Sequence, residues 1–110
     1  MDVQNRDWRR GLLRPLALAA VLQAGESHGY EVISQLEKLG LGTVYGGTLY
    51  PILRRLEDEG FLSSKWVPGD GGPGRKIYTV TEAGREEARS FQAQWVALVA
   101  DVNRVLKENL

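Results

Sequence analysis

A chain of 110 residues with 43% hydrophobic side chains carries apolar material for one modest core and too little for an independent second one. It has no cysteine, which excludes a disulfide framework, a thiolate zinc site and a cysteine nucleophile. Its 14 basic side chains balance 14 acidic ones, so any attraction to a polyanion must come from local placement rather than net charge. No apolar run approaches the roughly 20 residues that span a bilayer, and the opening MDVQNRDWRR lacks an apolar signal segment, so a cytoplasmic protein without membrane association is expected.

From Leu12 to Leu22 the chain is nearly all Leu, Ala and Val and reads as a buried first helix. Pro15 requires either that the regular helix begins near Arg14 or that a kink separates it from the residues before it. Gly25 ends this helix, and the polar run Glu26-Ser27-His28-Gly29 is expected to be the break before the next. His28 is the only histidine; without cysteine partners it suits a helix start or turn better than a metal, and no metal or other cofactor is expected.

The spacing of Tyr30, Ile33 and Leu36, with Val32 and Leu39 alongside, predicts a second, amphipathic helix closed by Gly40 and Gly42. Tyr30 is read as a core residue whose hydroxyl can also reach a phosphate. A short turn through Tyr45 leads to the third helix, where Leu49, Ile52, Leu53 and Leu56 form one inward stripe. Thr48 is expected as its N-cap, with Pro51 at the third helical position. That leaves Thr48, Tyr50, Arg54 and Arg55 facing elsewhere. The bland alternative is that both arginines pair with Glu57, Asp58 and Glu59 on a solvated face.

Two strands are predicted at 61–67 and 75–80, joined by the glycine- and proline-rich segment 68–74, so the pair reads as a hairpin with a flexible tip. Lys65, Arg75 and Lys76 flank that tip, where cations can contact phosphates or guard a sheet edge. Trp66 is read as core. Thr81 caps a last helix of about 25 residues, nearly 40 Å long. In it Gly84, Ala88, Phe91, Trp95, Leu98, Val102 and Val105 follow a 4-3-4-3-4-3 spacing, the period of a coiled-coil seam. A helix that long needs a partner, and a second copy is the economical one. Trp95 offers a broad face that can pack on its symmetry mate or stack on a planar ligand, and Trp8 is assigned to the same region.

These elements make a mainly α fold with a small β-hairpin: a winged helix-turn-helix at 1–80, then a long C-terminal dimerisation helix at 81–110. A helix of this kind fits the major groove of duplex DNA, with residues of its N-terminal half at base edges and the rest on phosphates. Tyr30, Tyr45, Thr48, Tyr50, Arg54, Arg55, Lys65, Arg75 and Lys76 are the DNA-contact candidates. The competing reading is a winged-helix protein-interaction adaptor, supported by zero net charge and the acidic 57–59 run. An enzyme has little support, since no catalytic constellation, phosphate loop or dinucleotide fingerprint is present.

The motifs HGYEV at 28–32, GTLYPILRRLEDEGFL at 47–62 and GGPGRKIYTVTEAG at 71–84, followed by the helical tail, resemble the PadR family of bacterial transcriptional regulators, in particular its small members with one C-terminal dimerisation helix. The resemblance covers about residues 10–106. It implies a homodimeric repressor that leaves a pseudo-palindromic operator when a small effector binds. It also implies that tryptophans at the dimer interface can sandwich a flat aromatic compound, with Trp95 at the matching place. The chain departs from the family pattern at Tyr45 and Gly46, before the recognition helix, and at Ile77 in the second wing strand.

Overall fold

A computed structural model describes residues 8–69 and 71–110. A 3-10 turn (Trp8–Leu12) leads into α1 (Leu13–Ala24), followed by β1 (Ser27–His28) and α2 (Gly29–Leu36). A wide π turn (Glu37–Leu41), α3 (Gly46–Asp58), β2 (Leu62–Val67), β3 (Arg75–Val80) and α4 (Glu82–Asn109) complete the chain.

Regular helix in α1 starts at Leu13, so Pro15 falls in the first turn, where its missing N–H has no intrahelical partner to lose. Gly25 closes α1 at φ 81°, the left-handed conformation that a Cβ disfavours. Ala17, Leu18, Ala20 and Val21 of α1 pack on Val32 and Leu36 of α2 and on Leu49, Leu53 and Leu56 of α3, forming the core. The turn between α2 and α3 is held by the Val44 N–H, which donates to Glu37 Oε2 at 3.0 Å.

Four expectations from the sequence are corrected here. α2 is shorter than predicted: its regular part stops at Leu36, Gly40 turns at φ 85°, and Leu39 lies exposed. Tyr30 is 72% exposed and outside the core, because it sits on the opposite side of α2 from Val32, which is fully buried. Thr48 does not cap α3. The helix begins at Gly46, with Tyr45 at the N-cap, because the N–H groups of Thr48 and Leu49 both donate to the Tyr45 carbonyl at 3.0 Å. Pro51 is therefore the sixth helical residue and leaves the Gly47 carbonyl without its helical donor; Gly47 is exposed, so water can solvate it.

The fourth correction concerns the sheet, which has three strands in the order β1-β3-β2, all antiparallel. The presumed break at 26–29 contains β1, whose Ser27 pairs with Tyr78 and is 1% exposed. Two residues are too few to show a strand pattern, and only the neighbouring edge of β3 reveals them.

Thr81 caps α4 by accepting from the Gly84 N–H at 3.0 Å, and its own hydroxyl donates to the Gly60 carbonyl at 2.6 Å. Gly84 is buried, so it is a packing residue and not the start of an open seam. A Cβ there would stand 2.1 Å from the Phe61 carbonyl oxygen, a contact no side chain can make. Beyond this anchor α4 leaves the body: from 96 to 110 every residue but Val99 is exposed, and the molecule is 59 Å long. A radius of gyration of 16.0 Å, against about 13 Å for a compact domain of this length, records the same projection.

Gly84→Ala is expected to force α4 off the β2 junction and to destabilise the fold by about 1–3 kcal/mol, read as a fall in Tm on thermal denaturation. An unchanged Tm would show that the junction yields without cost.

Candidate nucleic-acid interface

Leu49, Leu53 and Leu56 are at most 1% exposed, so the rotation of α3 about its axis is set by core packing. Its other edge is open: Tyr50 is 49% exposed, Arg54 and Arg55 are exposed, and Thr48 is half-buried. Neither arginine has a carboxylate partner among the described residues. The pairing with the 57–59 acids does not form: Glu59 is engaged with Arg14 of α1 and Glu57 with Lys76 of β3, and Asp58 makes no ion pair with either arginine.

Tyr50 is placed by two glycines. Its ring lies over Gly29 at the start of α2 and Gly46 at the start of α3, where added Cβ atoms would come within 2.3 and 2.9 Å of ring carbons. Tyr45, 65% exposed, stands at the α3 N-cap, and Tyr30 lies one residue past Gly29 with its ring 6.4 Å from that of His28. His28 occupies the helix-start role expected of it. Its Nδ1 accepts from the Glu31 N–H at 3.4 Å while its own N–H donates to Glu31 Oε1 at 3.3 Å, a reciprocal capping box for α2.

The wing is fastened to α3 through Glu57. This carboxylate accepts from Lys76 Nζ at 2.8 Å and from the Ser64 hydroxyl, so both wing strands are tied to the C-terminal end of α3. The Lys76 hydrogen bond, then that of Ser64, holds the Glu57 carboxyl below its ordinary value of 4.5, and the Glu57 hydrogen bond holds Lys76 above its ordinary 10.5. Lys76 also stands 5.5 Å from the Tyr78 ring centre. The other wing cations differ in their neighbours. Lys65 pairs with Glu26 at 3.2 Å, whereas Arg75 is exposed, with His28 Nε2 at 3.3 Å and no carboxylate partner among the described residues.

Besides Tyr30, sequence reasoning misplaced a second aromatic residue of this face. Trp66, read as core, is 71% exposed. It shares a strand face with the buried Leu62, but the ribbon runs on past the part that α3 covers.

With a helix edge and a fastened ribbon on one face, the fold is that of a winged helix-turn-helix with a C-terminal arm. The profile of the Transcriptional regulator PadR-like family matches residues 18–90. The chain belongs to the PadR-like family of transcriptional regulators. That membership places this PadR-like chain in a regulatory and not an enzymatic class. It is 33% identical over 77 residues to the negative transcriptional regulator PadR of Bacillus subtilis, a match covering 68% of this chain and 42% of that one. The chain thus spans less than half the length of that relative. A PadR family regulator from Eggerthella lenta superposes with a TM-score of 0.81 at 36% identity, over 92% of this chain and 87% of the other. The Bacillus subtilis PadR crystallised in complex with operator DNA superposes with a TM-score of 0.66 at 29% identity, over 74% of this chain and 46% of that chain.

A second feature of this PadR-like chain is a groove of about 580 Å³ between α1 and α4, with Leu18, Leu22, Ala88, Phe91 and Trp95 along it and Arg14 and Arg85 at its rim. Trp95 is half-buried and stacks on Phe91, ring centres 6.0 Å apart. Trp8 is 71% exposed and does not line this groove, so the protomer does not bring the two tryptophans together there. Ala88 packs against the core, while Leu98, Val102 and Val105 form an apolar strip in the open. No described helix is long and apolar enough to cross a membrane.

The Glu57 fastening has a pH signature. A lowered carboxyl pKa contributes stability that is full above the unfolded value near 4.5 and is lost as pH falls through the lower folded value. A raised lysine pKa contributes below 10.5 and loses it above. Glu57→Gln should therefore cost about 1 kcal/mol between roughly pH 5 and 10, and the gap to the parent should close as the solution is acidified. A gap that persists in acid would show that Glu57 acts through shape alone.

Proposed function

We propose that this chain is a homodimeric regulator that binds duplex DNA, acts as a repressor and is released by a small planar aromatic effector. The observation that carries the DNA reading is the open polar edge of α3 beside a fastened basic wing, in a fold shared with a protein crystallised on operator DNA. In this reading residues 1–80 form the DNA-binding part, and Tyr50, Arg54 and Thr48 meet the major groove. Arg55 and Tyr30 meet phosphates, and Arg75, Lys65 and Lys76 follow the wing to the next groove. Tyr45 stands at the helix N-terminus, where an anion is favoured.

Residues 81–110 form the dimerisation arm. A second copy laid along Leu98, Val102 and Val105 would cover a strip that otherwise faces water. Two-fold symmetry would put the two α3 helices about one DNA turn, roughly 34 Å, apart on a pseudo-palindromic operator. The α1–α4 groove is the effector site in this reading, with Trp95 and Phe91 as its aromatic wall. Trp8 joins it only if the second copy brings that side chain across.

The adaptor alternative keeps the zero net charge but loses most of its second support, because two of the three acids at 57–59 are spent on intrachain pairs.

Arg54→Ala should weaken binding to the chosen duplex by about 1–3 kcal/mol if Arg54 reads a base, and lower all sequences together if it holds phosphate. The check is a gel shift at stated salt, on DNA upstream of the coding sequence and on unrelated duplex. Equal affinity of variant and parent would count against both roles. For the effector, titration with planar phenolic or cationic compounds should quench tryptophan fluorescence. The response should disappear in Trp95→Ala while sedimentation still reports a dimer; a response that survives the substitution would place the pocket elsewhere.

A further inference from the structure

Among the described residues, Trp66 is the one aromatic side chain of the wing strands that the core does not account for. Along β2, Leu62, Ser64 and Trp66 point to the face that looks toward α3, opposite Val80, Tyr78 and Lys76 of β3. The first two are engaged: Leu62 is buried, and Ser64 donates to Glu57. At Trp66 the helix no longer covers the sheet, and the indole forms one wall of a cleft of about 440 Å³. Tyr50 and Arg54 of α3 form the facing wall, with Lys76, Tyr78 and Gly29 between them. The ring edge lies close to the backbone at Gly74, where a Cβ would come within 3.6 Å of Trp66 Cε3 and 2.9 Å of the Val67 carbonyl oxygen, so the wing keeps a bare backbone beside the indole.

The place of this cleft determines what fits it. When a helix lies in the major groove and a wing reaches the adjacent minor groove, one sugar–phosphate strand must pass between them, because that strand separates the two grooves. The cleft has the composition such a strand demands. Arg54, without a carboxylate partner among the described residues, can meet a phosphate, and a broad apolar ring can meet the hydrophobic face of a deoxyribose. We propose that the cleft between α3 and the wing holds one sugar–phosphate strand and that Trp66 is a DNA-contact residue, its indole packed on a deoxyribose in that strand. The inference rests on the DNA-binding reading above.

A sugar contact by an uncharged ring has a signature that separates it from the cationic contacts. Trp66→Ala should lower affinity about tenfold on a duplex selected by the parent protein from a random pool and by the same factor on unrelated duplex. The slope of log affinity against log salt should stay unchanged, because no phosphate charge is given up. Trp66→Phe should recover most of the loss. The emission of the parent less that of Trp66→Phe isolates the Trp66 indole, and this difference should shift to shorter wavelength when duplex is added. This second readout uses an intact Trp66 and so does not depend on how the alanine variant folds. Unchanged affinity in Trp66→Ala alongside weakened Arg54→Ala would overturn the Trp66 contact and leave the DNA reading standing. A loss confined to the selected duplex, or an emission that ignores DNA, would overturn the sugar contact. A parent that selects no duplex would overturn both.

Discussion

Leu49, Leu53 and Leu56 are sealed from water by α1 and α2, and the phase of that seal governs what α3 can offer to a partner. Each buried leucine contributes roughly 1.5–3 kcal/mol, so rolling α3 about its axis to present a different edge would expose several such groups at once. The outward edge of Tyr50, Arg54 and Arg55 is the complement of the leucine stripe. Its helical start is adjusted by Gly29 and Gly46, which leave room for the Tyr50 ring between α2 and α3.

The acids of this chain explain how a molecule of zero net charge can carry a locally cationic face. Glu57 binds Lys76, Glu59 binds Arg14 and Glu26 binds Lys65. All three pairs link segments distant in sequence, and Glu57 in particular ties the wing to the helix it flanks. Arg54, Arg55 and Arg75 are left without a carboxylate among the described residues. Pairing within the chain thus spends acids on architecture and leaves guanidinium groups on the proposed DNA face. At that separation local fields outweigh the total charge, because salt screens the rest of the molecule beyond about 10 Å.

α4 divides into two functional stretches along a single seven-residue rhythm. Its first turns belong to the protomer, with Gly84 against the Phe61 carbonyl and Ala88 against the core. Phe91 and Trp95 then line the groove with α1, and from Leu98 onward the same stripe stands in solvent. The arm and the groove are therefore continuous. In the dimer we propose, anything that enters beside Trp95 bears on the segment that sets the angle between the two protomers.

Periodicity and cap chemistry in the sequence determined the helices, the two long strands, the inward leucine stripe, the Thr81 cap and the family. Each depends on residues within a few positions of one another, where 3.6- and 2-residue periods and local hydrogen bonds decide the outcome. The cationic face was legible only as a set of candidates. Composition cannot tell that Glu57 and Glu59 would reach Lys76 and Arg14 rather than their helix neighbours Arg54 and Arg55. The rest was settled by long-range contact. β1 exists because β3 offers Ser27 and His28 a free edge. α3 starts at Gly46 because the turn delivers the Tyr45 carbonyl to two amides. Trp66 stands in the open because the ribbon outruns the helix that covers Leu62. Alternation along a strand shows which side chains share a face, but only the packed neighbour decides how far along that face water is excluded.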